Sequence, residues 1–226
     1  MLKRGGLNGV KVIVIGDENV GKSSLLRRFV TGTFSNQYNR TVGVEYMEKS
    51  VCLRQRSTTV NLFLWDTAGQ ETVSSVKDIY YLDAAVAILV FSTDSSESFA
   101  RIEMWKRCVE RVCGSIPMVL CQTKFDLARQ AAVVAEEVEK LAVKLQLPLF
   151  RVSTKDGFNV TQLFEYVAAM CVSEAPGGEC GRTGKLKSEA DGNGSTGAGN
   201  AGKSSKSGGA GKKSSKKSKK KKCSVM

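Results

Sequence analysis

Apolar residues in the first 173 positions change period repeatedly. Residues 10–15 (VKVIVI) form a short buried-looking run, while residues 44–53 and 59–65 alternate, with Val60, Leu62 and Leu64 set between Asn61, Phe63 and Trp65. Residues 85–92 (AVAILVFS), 117–122 and 147–152 are almost continuously apolar. Period two describes a half-buried strand, and a short continuous run a strand covered on both faces. Between these runs the spacing lengthens to that of a helix face. Leu25, Leu26 and Phe29 follow the first strand, Phe99, Ile102, Val109 and Val112 mark residues 96–113, Val134, Val138, Leu141 and Leu145 mark another helix, and Val160, Leu163, Phe164, Val167 and Cys171 a last one. Six strands alternating with these helices are predicted, with a hairpin through residues 54–58. Strand and helix alternate, so an α/β domain is expected, its six-stranded sheet mostly parallel and covered by helices on both faces.

The pattern stops at residue 174. Beyond it the chain is Gly, Ser, Lys, Asn and Ala, too poor in apolar area to offset the entropy of ordering. The organisation predicted is a domain over residues 8–173, a disordered Gly/Ser/Lys tail over 174–222, and a distinct terminal tetrapeptide, 223–226. The tail holds 13 Lys and Arg against 4 Asp and Glu, so it carries +9 of the chain's net +12. Most of the basic character therefore lies outside the predicted domain, and its lysines lack the interleaved aromatics of a nucleic-acid binder. The seven cysteines are odd in number and form no C-x-x-C pair, which reads as reduced, mostly core thiols. Lys11 interrupts the only early apolar run, so no secretory leader is expected. No stretch reaches the roughly 18 apolar residues of a membrane span.

The first strand runs directly into Gly16-Asp17-Glu18-Asn19-Val20-Gly21-Lys22-Ser23-Ser24 and then a helix, the context that the G-x-x-x-x-G-K-S pattern requires. Gly16 and Gly21 permit a tight turn that aims successive N–H groups into one cavity, and the helix N-terminus adds its positive dipole. Lys22 can reach β- and γ-phosphate oxygens, and the Ser23 hydroxyl can ligate Mg²⁺. A second chemical cluster, Asp66-Thr67-Ala68-Gly69-Gln70-Glu71, follows the third strand at its carboxyl end, where open α/β sheets bind ligands. The chain holds no histidine, so no imidazole base is available.

Five segments in this order, residues 16–23, Thr41, residues 66–71, Thr123-Lys124-x-Asp126 and Ser153-Thr154-Lys155, resemble those of the Ras-superfamily small GTPases. The resemblance covers about residues 9–173 and implies a P-loop NTPase G domain that binds GTP and GDP with Mg²⁺ and hydrolyses GTP. It places residues 17–24 around the β-phosphate, and Ser23, Thr41 and, through water, Asp66 around the metal. The Gly69 N–H would sense the γ-phosphate and Gln70 orient the attacking water. Asp126 would accept from guanine N1–H and the 2-amino group, Lys124 lie over the base, Phe34 stack at its edge, and the Thr154 N–H meet O6, with Tyr38, Ser153 and Lys155 completing the site. Gly43-Val44-Glu45-Tyr46, Trp65, Tyr80-Tyr81 and Ser96-x-Ser98-Phe99 are similar to the Rab branch. A single-cysteine C-a-a-X end most resembles the Rab subfamily associated with cilia and Hedgehog signalling.

Three positions depart from the family pattern. Thr123 replaces the usual Asn, which implies altered nucleotide affinity. Glu18 brings a carboxylate to a loop position that most relatives fill with Gly, Ser or Ala, and Asn19, where Gly or Ala is commoner, tolerates the left-handed backbone region. Exchange factor, activating protein and effectors are expected on the switch segments, residues 35–46 and 66–81, and more narrowly on residues 42–46, Trp65 and residues 73–81, although the aromatic residues there fit a sheet core equally well. Cys223-Ser224-Val225-Met226 fits the prenylation signal, and the ten lysines of residues 203–222 would supply the second membrane signal that one lipid chain needs. The expected location is the cytoplasmic face of a membrane (endomembrane, plasma membrane, cilium or flagellum) with a cytosolic pool. A slowly hydrolysing GTP-bound scaffold and a Ras-like signalling GTPase are the alternatives.

Overall fold

A computed structural model describes residues 9–37, 40–41, 43–67 and 76–173. Tyr38, Gly69, Gln70, the tail and Cys223 lie outside the described residues.

The six strands form one sheet in the order β2-β3-β1-β4-β5-β6. They are β1 (Gly9–Gly16), β2 (Val44–Leu53), β3 (Thr58–Thr67), β4 (Val86–Ser92), β5 (Met118–Thr123) and β6 (Leu149–Arg151). The β2–β3 hairpin is antiparallel and every other neighbouring pair is parallel. This is the P-loop G-domain architecture: strand order reverses at β1, and such a switch point opens a crevice at the carboxyl ends of the strands. The helices are α1 (Lys22–Thr31), α2 (Val76–Tyr81), α3 (Ser96–Ala100), α4 (Ile102–Cys113), α5 (Ala135–Leu145) and α6 (Val160–Ser173).

Two cores lie on opposite faces of the sheet because alternate residues of β1 and β4 point opposite ways. Val12, Val14, Ile88 and Val90 pack with Leu25, Leu26, Phe29 and Phe164 under α1 and α6. Ile13, Ile15, Leu89 and Phe91 pack with Ile102, Trp105, Val109 and Val138 under α4 and α5. Phe29 and Phe164 stack with ring centroids 3.9 Å apart, holding α1 to α6.

Four details differ from the expectations. The single helix over residues 96–113 is two, broken at Arg101 (φ −87°, ψ −3°). Ser95 caps α3 by accepting from the Ser98 N–H, and Ser98 Oγ accepts from the Ser92 N–H, so the first turn is tied to the end of β4 before α4 turns onto the sheet. β6 is shorter than residues 147–152, since Pro148 has no N–H to give the ladder. An unforeseen 3-10 helix, Phe125–Gln130, follows Lys124. Among the described residues the thiols are only in part core: Cys121 and Cys171 are buried, Cys108 and Cys113 half-buried and Cys52 exposed. None of the described helices is long and apolar enough to cross a membrane.

Candidate functional site

β1 ends against the backbone of β4. A side chain at Gly16 would put its Cβ 2.1 Å from the Val90 carbonyl oxygen, so a glycine is needed there for the loop to leave the sheet. The loop closes on Lys22, which is buried and whose Nζ donates to the carbonyls of Gly16 (2.9 Å) and Asp17 (2.6 Å). Asn19 adopts φ +58°, within the left-handed region foreseen for it. Gly21 caps α1 at φ +88° with no side-chain acceptor, which leaves the first-turn N–H groups of α1 free of a capping side chain, the arrangement that suits an anion.

In front of this loop lies a cleft of about 350 Å³, formed by the loop after β1 with the start of α1, the loop between α1 and β2, the last residue of β3, and the segments at the ends of β5 and β6. Of the sequence-predicted residues, Glu18, Asn19, Gly21, Lys22, Ser23, Ser24, Phe34, Thr41, Thr123, Lys124, Asp126, Thr154 and Lys155 line it. Gly16, Val20, Asp66 and Ser153 stand behind the wall. Asp17, expected to contribute its backbone N–H, is not among the lining residues, and its carboxylate accepts from the Trp105 indole N–H at 2.8 Å.

Ser23, Thr41 and Asp66 converge. The Ser23 and Thr41 hydroxyl oxygens are 2.7 Å apart. Both hydroxyls donate to Asp66 Oδ2, the Thr41 bond spanning 3.4 Å. Asp66 is fully buried, and its Oδ1 has no hydrogen-bond partner among the described residues. Burial pushes the Asp66 carboxyl above the usual range, against the opposing pull of the Ser23 hydrogen bond and of Lys22. An orphaned buried carboxylate oxygen costs energy unless a cation or water meets it. Two hydroxyls and a carboxylate make an all-oxygen donor set of the kind Mg²⁺ takes.

The other end of the cleft carries a second carboxylate. Asp126 is exposed, and the Ser153 hydroxyl lies 3.0 Å from its Oδ1. Lys124, at φ +51°, lines the cleft with its ammonium 3.0 and 3.2 Å from the carboxylate oxygens of Asp94. Burial alone would raise the Asp94 carboxyl; hydrogen bonds from Ser92 and Lys124 reverse that and hold it below its usual value. Thr123 links β5 to the phosphate loop. Its hydroxyl reaches the Val20 carbonyl in the phosphate loop at 2.5 Å and the Phe91 carbonyl at 3.0 Å, so the tie from β5 to the loop survives without the usual amide. Thr123→Val, which keeps the shape and removes the hydroxyl, is expected to lose about 1 kcal/mol of bracing. Release of bound nucleotide should then quicken about fivefold, read by displacement of a fluorescent GDP.

Sequence reasoning missed Arg27 and Leu127, and named Arg40 and Thr67 only as members of longer segments; all four also line the cleft. Arg27 could have been found, since it lies four residues beyond Ser23 and so on the same side of α1; its Nη2 is 3.0 Å from Glu45 Oε2 on β2. Arg40 carried no motif signal beyond its place beside Thr41.

The expected partner face is in part exposed apolar surface. Tyr46 is 48% exposed and packs on Phe63 and Trp65, with centroids 5.9 and 5.8 Å away, and Ile79 is 65% exposed. Tyr81, expected there, is instead core at 3% exposure. The end of α2 is held at three points: Asp78 by both guanidinium nitrogens of Arg111 (2.9 and 3.1 Å), the Tyr81 carbonyl by Cys113 Sγ (3.1 Å), and the Leu82 carbonyl by Lys11 Nζ (2.8 Å).

A strand, a phosphate-sized loop, a helix N-terminus and a buried carboxylate at the end of an adjacent parallel strand define a nucleoside-triphosphate-binding P-loop domain. Residues 11–173 match the family model described as Ras family, and the chain belongs to that family of small GTPases. Its members bind guanine nucleotide, typically with Mg²⁺, are in general GTP hydrolases, and are read by regulators and effectors.

Proposed function

We propose that this chain is a Rab-like GTPase switch, held on membranes by a prenylated Cys223 and the lysines of residues 203–222, that governs vesicle or ciliary/flagellar membrane traffic. The observation that carries the switch reading is the meeting of Ser23, Thr41 and Asp66. Thr41 lies in the loop between α1 and β2, so a group that engages its hydroxyl also sets the course of the chain entering β2 and the partner face. Bound Mg²⁺ would neutralise charge on the β- and γ-phosphates. Lys22 adds a point charge, the loop N–H groups cradle the phosphates, and Asp126 selects guanine. Gln70 is assigned the orientation of water.

The Rab branch rests on Gly43 to Tyr46, the Tyr46–Phe63–Trp65 surface and the C-a-a-X end. Half of the ten tail lysines near an anionic leaflet would add about 5 kcal/mol to a single lipid's marginal hold. Wild type is expected to divide between membrane and cytosol, and Cys223→Ser to be wholly cytosolic on fractionation. A Cys223→Ser protein that stays with membranes overturns the anchoring.

Glu18 favours a second reading, a switch that hydrolyses slowly. It is exposed on the cleft wall, where its charge opposes that of a triphosphate. Glu18→Ser is expected to raise single-turnover GTP hydrolysis about fivefold, corresponding to a screened charge repulsion of about 1 kcal/mol. An unchanged rate, alone and with an activating partner, refutes it.

A further inference from the structure

Asp17 is held from both ends. Its carboxylate is buried, Oδ1 accepting from the Trp105 indole N–H at 2.8 Å and Oδ2 lying 3.3 Å from Arg101 Nη1. Its backbone carbonyl accepts from Lys22 Nζ at 2.6 Å. Trp105 is 2% exposed on the face of α4 that packs on the sheet, and Arg101 occupies the break between α3 and α4. No motif joins these residues, which are 84 and 88 positions from Asp17.

We infer that Trp105 and Arg101 are positioning residues for nucleotide retention: through Asp17 they fix the phosphate loop so that Lys22 and the loop N–H groups stay aimed into the cleft. A loop closed by two glycines has wide backbone freedom, and donors that must be ordered at the moment of binding give weaker binding than donors already in place. Hydrogen bonds to a charged acceptor are short and strong, and a buried carboxylate deprived of its donor is driven to move toward water. That movement displaces Asp17, and with it the carbonyl on which Lys22 rests. The break at Arg101 serves the same end, because it sets the guanidinium beside Asp17 while α4 continues on a course that keeps Trp105 in the core. Arg101 acts at the surface, with half of its side chain exposed, so its share is the smaller.

The inference rests on the reading of the cleft as a guanine-nucleotide site. It is tested on the full chain by loading fluorescent mant-GDP with Mg²⁺ and following its release into excess GDP, beside thermal unfolding of each variant. Trp105→Phe keeps a large apolar ring and removes the N–H, and is expected to speed release about tenfold. Arg101→Met should speed it about twofold. The double variant Trp105→Phe/Asp17→Ala should release no faster than Asp17→Ala alone, since the two changes break one bond. Val109→Ala, one turn along the same helix face and fully buried, is expected to lower the unfolding temperature and leave release at the wild-type rate. Should Trp105→Phe fail to fold, Asp17→Asn, which keeps an acceptor but loses the charge, carries the test with an expected acceleration of several-fold. Release at the wild-type rate in the folded variant, additive effects in the double variant, or equal acceleration in Val109→Ala each overturns the positioning role. A wild-type chain that never retains mant-GDP overturns the reading of the cleft itself, and the inference falls with it.

Discussion

Asp126→Ala is expected to weaken GDP and GTP binding by about 10²- to 10⁴-fold, the loss of two hydrogen bonds to a charged group at about 1.5–3 kcal/mol each. Guanine presents N1–H and the 2-amino group side by side, and a single carboxylate accepts from both, whereas adenine offers an acceptor at N1. The Ser153 hydroxyl lies 3.0 Å from Asp126 Oδ1 and 2.9 Å from Asp156 Oδ2, and its single proton serves one of the two carboxylates at a time. Asp126 is itself exposed, and removing it should leave folding stability within about 0.5 kcal/mol of wild type. Equilibrium titration with fluorescent GDP, beside a denaturant melt, separates the two quantities. An affinity unchanged within threefold would remove Asp126 from base recognition.

Gly16→Ala should produce the largest change in stability, a loss of at least about 4 kcal/mol and a fall in unfolding temperature of roughly 10 °C. Gly16 pairs with Val90 in the parallel β1–β4 register. The added Cβ would sit 2.1 Å from the Val90 carbonyl oxygen and 3.0 Å from its carbon, both backbone atoms of a strand buried along its whole length. No rotamer change relieves that contact, so either the central strand pair parts or the loop is displaced. Gly32→Ala is the comparison. Gly32 also has a positive φ, +74°, but nothing lies within 4 Å of its would-be Cβ, and the cost reduces to the left-handed backbone penalty of about 1 kcal/mol. Similar losses in the two variants would mean that steric contact at Gly16 is not what excludes a side chain.

What could be read from the sequence was what short-range chemistry dictates. β4 and β5 were legible because strands covered on both faces must be apolar at every position. The phosphate loop was legible because glycine spacing, Lys22 and a flanking strand and helix are local. The break at Arg101 was not, since residues 96–113 carry one continuous helical period and the break depends on Ser98 bonding back to β4. Tyr81 was placed on the surface with Tyr80 because adjacent aromatics give no sign of which is inward; on a helix they point about 100° apart. The Thr123 hydroxyl kept a role assigned to an amide, because reach and not residue type decides whether the Val20 carbonyl is met. The side-chain contacts of Asp17 were beyond sequence reading altogether, as an indole and a carboxylate 88 residues apart share no pattern.

A triple tether holds the end of α2. Arg111, Cys113 and Lys11 clamp the stretch from Asp78 to Leu82 onto α4 and the root of β1. A partner that docked on Ile79 and Leu82, both exposed within that stretch, would meet a surface braced by side chains of α4 and β1.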